Sequence, residues 1–303
     1  MPNQILSERV NINIIFLLLS PNPDPMFEYF KKSFARKKAR RVFQEYGFTV
    51  STYNLAKDGQ VAYANWDNPL MHQKGIVQEE IDFYAQSVYK GSLALDIGAN
   101  VGDTTVPMAI AAGKDGLVLA LEPNPVVYKI LQANAFLNKD KSNIVTIPYA
   151  ASDKEEEFFY MASEASFSNG GIKNGEDGRK LGKHVFKQKV QSINLEKYLN
   201  DNHADMLPKL SLIKVDTEGF DLKILKTLSS LIEKYHPNIL AEVFVDISDN
   251  ERLEMFDFLN GHGYRVLNIF HFSSYNMSDY EPILKREDML KTKGNFNIWA
   301  IKA

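Results

Sequence analysis

The segment LALDIGANVGDTT, residues 93–105, contains two acids and two glycines. Asp96 ends the apolar run, Gly98 and Gly102 permit a tight turn and close approach of the backbone to a ligand, and Asn100 lies between the glycines. A turn of this kind between a strand and a helix is typical of sites for nucleotide-like ligands. Three ligands are candidates: a nucleoside triphosphate, a dinucleotide and S-adenosylmethionine.

The residues of this turn exclude the first ligand and disfavour the second. A triphosphate loop requires G-x-x-x-x-G-K-[ST], but Asp103 stands five residues after Gly98 and the next lysine is Lys114. A dinucleotide loop requires a third glycine, and the Asp103 carboxylate, which we expect to cap the following helix, repels a pyrophosphate. S-Adenosylmethionine carries no phosphate, and Asp96 can meet its ammonium group directly or through water.

Polar residues also follow two further apolar segments. Glu122 in LALEPNP stands 20 positions after Gly102, where a carboxylate can accept hydrogen bonds from both ribose hydroxyls. Ser152 and Asp153 in AASDKEE are expected at the level of the adenine, although a turn capped by Asp153 explains them equally well. We therefore assign cofactor binding to seven residues: Asp96, Gly98, Asn100, Gly102, Glu122, Ser152 and Asp153.

Seven apolar segments must position these residues. Their unbroken apolar character is typical of strands buried on both faces of a parallel sheet, and helical patterns separate them. We predict an α/β fold with a doubly wound, mostly parallel, seven-stranded Rossmann-like sheet, whose ligands bind at the carboxyl ends of the strands. The predicted strands are 93–97, 117–121, 144–149, 210–215, 239–244, 264–269 and 296–301.

The first 76 residues are predicted to form an extension of the main domain. Residues 48–66 alternate in polarity around a Lys-Asp-Gly turn, which predicts a β-hairpin. Residues 27–43 are rich in lysine and arginine and carry phenylalanines at helical spacing, so peripheral contact with an anionic membrane is one hypothesis. A solvated helix whose phenylalanines pack on the main domain is an equal alternative.

Five segments together resemble the FkbM family of S-adenosylmethionine-dependent methyltransferases. DIGANVG, LEPNP, IPYAASD, LIKVDTEGFDLKIL and ILAEVF carry the resemblance between residues 79 and 244. The resemblance implies a class I methyltransferase domain at 77–303 with S-adenosyl-L-methionine as its cofactor. It further implies O-methylation of a sugar, glycan, glycolipid or natural product, as in polysaccharide modification, without choosing the acceptor.

Methylation of a hydroxyl requires a base, because the proton must leave as the new bond to carbon forms. Asp216 and Glu218 end the fourth predicted strand and Glu242 ends the fifth, so these three are the candidate catalytic residues. If the strand stays extended, Asp216 and Glu218 project from one side, as base catalysis or a divalent ion would require. Alternatively, Asp216 caps the helix that starts near Asp221, and Glu218 pairs with a lysine.

A polar segment at 163–190 interrupts the alternation of strands and helices. It is rich in glycine and charge and long for an unstructured connection. We interpret it as either a surface excursion or a lid over the substrate. No histidines show metal-site spacing, so no metal is assigned, although assistance by a divalent ion stays open.

Composition limits the partners. The 303 residues carry a formal net charge of -3, which gives no reason to expect nucleic acid. The absence of cysteine suits a reducing compartment, so we expect a cytoplasmic protein, membrane-associated if the basic segment docks. Its expected partner is a small-molecule or glycan acceptor, and no oligomeric state is assigned. An NAD-dependent oxidoreductase and a non-catalytic binding module on the same fold are the alternative functions.

Overall fold

The structure is a computed structural model that describes residues 25–168, 170–173, 183–269 and 279–302. Its helices are α1 Pro25–Arg41, α2 Gln78–Tyr84, α3 Thr105–Ala112, α4 Tyr128–Phe136, α5 Leu195–Asn202, α6 Asp221–Thr227, α7 Ser229–Tyr235 and α8 Asp249–Gly261, with short 3₁₀ helices at Leu207–Lys209 and Arg286–Leu290. Its strands are β1 Phe48–Leu55, β2 Gly59–Trp66, β3 Leu93–Ile97, β4 Leu117–Leu121, β5 Ile144–Ile147, β6 Ala150–Ser152, β7 Glu157–Ala162, β8 Gly171–Lys173, β9 His184–Asn194, β10 Leu210–Val215, β11 Asn238–Val243, β12 Tyr264–Asn268, β13 Glu281–Ile283 and β14 Phe296–Lys302.

The central sheet has the strand order β13-β12-β14-β11-β10-β3-β4-β5. The neighbours from β11 to β5 are parallel, whereas β14 runs antiparallel to both β11 and β12. The predicted α/β class is confirmed. The predicted count of seven strands is wrong, because the short segment Glu281–Ile283 adds an eighth strand at the edge of the sheet.

The sequence forms this sheet because its strands are apolar on both faces. All residues of β3 and β4 are buried. Leu93, Leu95 and Ile97 pack into the core cluster shared with α5 to α8, while Ala94 packs into the cluster shared with α2 and α3. Helices therefore cover both faces of the sheet, as predicted for a doubly wound fold.

One predicted strand is shorter than expected. β5 ends at Ile147, two residues before the predicted end, since Pro148 has no N–H to continue the ladder. The chain then enters a second sheet, in which β6, β9, β7 and β8 are neighbours. Within the 163–190 insertion, β8 and the first part of β9 belong to this second sheet, and residues 169 and 174–182 lie outside the described part of the chain.

The predicted hairpin is confirmed as β1 and β2, paired from Phe48 opposite Trp66 to Leu55 opposite Gly59. Asn134 of α4 joins it to the main domain: the side-chain oxygen accepts from the Ala64 N–H at 2.7 Å and the amide donates to the Ala64 carbonyl at 3.0 Å. Whether the boundary at residue 76 separates two domains stays a prediction. Among the described helices, none is both long and apolar enough to cross a bilayer.

Candidate active site

A cavity of about 570 Å³ lies at the carboxyl ends of β3, β4 and β10. This is the edge at which doubly wound sheets bind ligands. Seven of the ten residues assigned from the sequence line it: Gly98, Asn100, Glu122, Ser152, Asp153, Asp216 and Glu218. Asp96, Gly102 and Glu242 do not line it, so direct contact with a ligand in this cavity is not supported for these three.

The glycine turn is shaped by its protein neighbours. Gly98 has φ 78°, and a Cβ there would lie 1.9 Å from the Asp216 carbonyl oxygen. Gly102 has φ 90°, and a Cβ would lie 2.9 Å from the Leu131 side chain. Both glycines therefore have a packing role: the first lets the ends of β3 and β10 approach, and the second lets the turn pack on α4.

The buried carboxylate of Asp96 stabilises the turn and the start of α3. Its carboxylate accepts hydrogen bonds from the hydroxyls of Thr104 at 2.9 Å and Thr105 at 2.6 Å. Lys214 Nζ lies 3.0 Å from the other carboxylate oxygen, and both Asp96 and Lys214 are buried. The expected contact of Asp96 with the cofactor's ammonium is therefore replaced by contacts within the protein.

Asp103 does not cap α3, contrary to expectation. Thr104 occupies the N-cap position and makes no side-chain cap hydrogen bond. The Asp103 carboxylate instead accepts from Lys74 Nζ at 3.3 Å, and both side chains line the cavity. The negative charge predicted at this position is thus present but paired.

Glu122 is held by backbone donors on both of its oxygens. The Asn100 N–H donates to Oε2 at 2.9 Å, and the Asn124 N–H donates to Oε1 at 2.7 Å. Burial raises the pKa of Glu122 to about 7, although these two hydrogen bonds favour the charged form. Each oxygen keeps a further lone pair, so the fixed carboxylate can accept two hydroxyl hydrogen bonds.

Asn100 adds an acceptor beside Glu122. Its backbone is in the left-handed region at φ 47°, and within the described residues its buried side-chain oxygen has no hydrogen-bond partner. Ser152 and Asp153 also line the cavity. The Ser152 hydroxyl donates to the Asp153 carboxylate at 3.3 Å and accepts from the Lys154 N–H at 3.4 Å, so Ser152, not Asp153, caps this turn.

Glu218 occupies a strained turn immediately after β10. Its φ of 55° is followed by a φ of 97° at Gly219, so the strand does not stay extended and the condition for a common projection of Asp216 and Glu218 is not met, although both residues line the cavity. Burial and the negative charges of Asp216 and Asp221 raise the pKa of Glu218 to about 7. Within the described chain, no hydrogen bond or ion pair engages its carboxylate, so the alternative of a lysine partner is not met.

Two further acids, Asp221 and Glu242, lie beside this turn. Asp221 is buried and accepts from the Thr217 hydroxyl at 3.0 Å and from the Glu242 N–H at 3.3 Å. Asp216 does not cap α6. Glu242 lies in an adjacent pocket of about 240 Å³, where it accepts from Asn295 Nδ2 at 2.9 Å. Burial, followed by the charges of Asp216 and Asp221, raises the pKa of Glu242 to about 8.

Sequence reasoning missed Tyr160 and Lys74. Tyr160 extends from β7 into the cavity, where its hydroxyl accepts from Asn124 Nδ2 at 3.2 Å. Burial raises its pKa, and the charges of Glu122 and Glu218 add to this, so Tyr160 lies near both acids. The alternating pattern of EFFYMA indicates that Tyr160 is buried but not what it faces. For Lys74 no sequence signal existed, because it lies in irregular chain.

The sheet is parallel from β11 to β5, and its carboxyl edge carries an acid-lined cavity with a glycine turn that is neither a triphosphate nor a dinucleotide loop. The chain belongs to the FkbM methyltransferase family, since the family model described as Methyltransferase FkbM domain matches residues 96–266. This confirms the resemblance found in the sequence and shifts its bounds, which were placed at 79–244. Family membership supports methyl transfer over the nicotinamide alternative, and the cofactor is S-adenosyl-L-methionine.

Solved structures match the chain at low identity. Methyltransferase FkbM from Methylobacillus flagellatus KT is 14% identical with a TM-score of 0.41, and the match covers 72% of this chain but 47% of that one. A SAM-dependent O-methyltransferase from Thermotoga maritima is 10% identical, with a TM-score of 0.36 and coverage of 84% and 78%. TYW2 from P. horikoshii in complex with MeSAdo is 15% identical with a TM-score of 0.37, and the match covers 92% of this chain and 84% of that one. No curated protein matches the chain.

The cavity residues fit this cofactor chemically. The carboxylate of Glu122 and the unpartnered oxygen of Asn100 are acceptors, which suits a ligand whose ribose hydroxyls, amine and ammonium are donors. The site therefore has the polarity that S-adenosylmethionine requires.

Across the described residues, no group of three or more candidate side chains is arranged to hold a metal ion.

Proposed function

We propose that this methyltransferase methylates a hydroxyl on a sugar, glycan, glycolipid or natural product, with Glu218 as the base. One observation carries the proposal. Glu218 combines a left-handed backbone, a cavity-lining carboxylate without a partner in the described chain and a pKa raised to about 7. Backbone strain of this kind clusters at active sites, and a base works best when its pKa lies near the working pH.

Asp216 is the second candidate base. It also lines the cavity, and burial raises the pKa of its carboxyl group. Lys214 Nζ lies 3.7 Å from that carboxylate, however, and this positive charge stabilises the ionised form and so weakens it as a base. Glu242 is the third candidate. It lies in the adjacent pocket and outside the lining of the cavity, so we rank it below Glu218 and Asp216.

The chain's own residues divide the remaining work. The bound cofactor supplies an electrophilic methyl group on its sulfonium. Glu122 and Asn100 fix the nucleoside through acceptors that are already in place, which reduces the entropy lost on binding. Tyr160 and Phe220 add ring faces to the cavity wall, and such faces can pack against the C–H groups of a sugar while nearby polar groups orient its hydroxyls.

The experiment is a methyl-transfer assay with labelled cofactor against glycans, glycolipids and hydroxylated natural products. We expect label in a base-stable ether on one acceptor class, and its loss in Glu218→Gln. Glu157→Gln is the matched control, since Glu157 is an exposed carboxylate paired with Lys189. Label found only on amines contradicts the O-methyltransferase proposal. Cofactor binding without transfer to any acceptor would favour a non-catalytic binding module.

We also propose that the protein is cytoplasmic and contacts an anionic membrane surface through residues 27–43. Met26, Phe30 and Phe34, spaced four residues apart on α1, are 66%, 61% and 72% exposed, whereas Ala39, roughly opposite them on the helix, is buried. The phenylalanine stripe therefore faces away from the protein, which argues against packing of Phe30 and Phe34 on the main domain. Seven basic residues and one acid on α1 match a negatively charged headgroup layer.

Vesicle sedimentation tests this contact. The full chain should sediment with phosphatidylcholine vesicles containing 30% phosphatidylserine and not with phosphatidylcholine alone, and 0.5 M salt should release it. Phe30→Ser with Phe34→Ser should reduce sedimentation several-fold. Phe136→Ser is the control, because Phe136 is 70% exposed on α4. Equal sedimentation of both variants, or no preference for the anionic vesicles, contradicts the proposal.

A further inference from the structure

An ion pair contributed from outside the family match lies at one end of the cavity. Lys74 precedes the matched residues 96–266 and belongs to the irregular segment between the hairpin and α2. Its Nζ lies 2.9 Å from Glu80 Oε1 and 3.3 Å from Asp103 Oδ2. Lys74 and Asp103 both line the cavity, whereas Glu80 is buried behind them.

The backbone of this segment holds Lys74 in place. Its N–H donates to Asn65 Oδ1 at 2.9 Å, and its carbonyl accepts from the Tyr53 hydroxyl at 3.1 Å. The hairpin therefore fixes the chain on both sides of the Lys74 Cα. The side chains of Lys74 and Asp103 remain 34% and 36% exposed, so each can meet a ligand while keeping its protein partner.

The charges at this end of the cavity are complementary to an α-amino acid group. An ammonium has three N–H donors, of which Lys74 uses two on Glu80 and Asp103, and a carboxylate accepts several hydrogen bonds. A zwitterionic α-amino acid group carries a carboxylate that can bind Lys74 and an ammonium that can bind Asp103. Asn100, whose N–H donates to Glu122 Oε2, and Asp103 belong to the same turn after β3 and line the same cavity.

We propose that Lys74 binds the α-carboxylate of the cofactor and that Asp103 binds its α-ammonium. The extension thereby completes the cofactor site of the methyltransferase domain, with Glu80 positioning Lys74. This inference rests on the cofactor and is independent of the acceptor and the base. It also gives Asp103 a function that its expected role as a helix cap did not include.

The experiment compares two ligands that share adenosine and sulfur. S-Adenosylhomocysteine carries the α-amino acid group, and 5′-methylthioadenosine lacks it. By calorimetry, Lys74→Met and Asp103→Asn should each weaken the binding of S-adenosylhomocysteine by about 10- to 100-fold, the effect of removing a hydrogen bond to a charged group. Both variants should bind 5′-methylthioadenosine with an affinity within about threefold of wild type. Lys74→Arg should restore most of the affinity for S-adenosylhomocysteine that Lys74→Met loses.

Lys57→Met is the matched control. Lys57 belongs to the same extension and pairs with Asp82 at 2.6 Å, but it is 67% exposed and outside the cavity lining. Equal weakening of both ligands by Lys74→Met, including complete loss, would mean a structural role and overturn the proposal. Unchanged affinity for both would overturn it as well. A wild-type protein that bound neither ligand would instead refute the cofactor assignment.

Discussion

Two glutamates at the same edge of the sheet differ in how the protein holds them. Glu122, after β4, receives one backbone N–H on each oxygen. Glu218, after β10, has a strained backbone and no partner among the described residues. Burial raises the pKa of each to about 7, so the pKa alone does not distinguish them.

The difference between the two regions lies in preorganisation. A carboxylate fixed by backbone donors presents acceptors in one geometry, which is what recognition of two ribose hydroxyls requires. A carboxylate without such donors gains more from taking up a proton, which is what a base requires. We therefore assign binding to the region of Glu122 and proton transfer to the region of Glu218, and substitutions in each should have separable effects.

The largest effect is expected at the base. Glu218→Gln keeps size and most hydrogen bonding but removes basicity, so the methylation rate at saturating cofactor should fall roughly 10²–10⁴-fold. Affinity for S-adenosylhomocysteine should change by less than about tenfold. Asp216→Asn is the companion variant and should lose less rate. If both methylate the acceptor at the wild-type rate, the two regions do not divide as proposed, and Glu242 becomes the leading base.

The second effect sharpens the binding side. Glu122→Ala removes charge-assisted hydrogen bonds to the ribose, and affinity for S-adenosylhomocysteine should fall by about 1.5–3 kcal/mol in calorimetry. Affinity for 5′-methylthioadenosine should fall equally, since the ribose is common to both. Wild-type affinity in a folded variant would mean that Glu122 does not contact the cofactor.

The third effect is a dependence of rate on pH. The pKa of Glu218 is raised to about 7, and the base must be deprotonated, so activity should rise with pH and level off above 8. Between pH 8 and pH 6 the rate should fall about tenfold at saturating cofactor, as the ionised fraction falls. A flat profile over this range would argue against Glu218 as the base.

The fourth effect concerns stability around the acids. A carboxyl whose folded pKa is raised binds protons more tightly when folded, so it destabilises the fold as pH rises through that pKa. Glu242, with its pKa raised from 4.5 to about 8, should do so progressively from pH 4.5 to pH 8, and the full loss should be present above pH 8. Glu242→Gln should therefore raise Tm by roughly 2–4 °C at pH 8.5 and leave it unchanged near pH 4, as measured by scanning calorimetry.

The smallest effect is expected from the amino terminus. Deletion of residues 1–41 removes α1, whose Arg40 carbonyl accepts from the Ala165 N–H at 3.2 Å. None of the described residues in the deleted part, 25–41, lines the cavity, so affinity for S-adenosylhomocysteine should stay within about twofold. A larger loss would show that the insertion beside α1 supports the cofactor region, and vesicle sedimentation of the same protein tests the membrane contact.

Local sequence determined the strands, the class of cofactor and the family. Apolar runs of five to six residues that alternate with helical patterns are typical of buried parallel strands, and acids directly after such strands lie at one edge of the sheet. This reasoning placed Glu122, Asp216 and Glu218 at the cavity without any structure. It also placed Asp96 and Glu242 there, because position along a strand does not indicate whether a neighbour covers the side chain.

Tertiary structure alone decided which acids are free. Lys214 and two threonines enclose Asp96, and Asn295 binds Glu242 in another pocket. The two residues of each contact belong to different elements of the fold. Lys74 and Tyr160 reach the cavity from irregular chain and from the second sheet. Periodicity reports only which face of an element is buried, whereas long-range packing determines what that face meets.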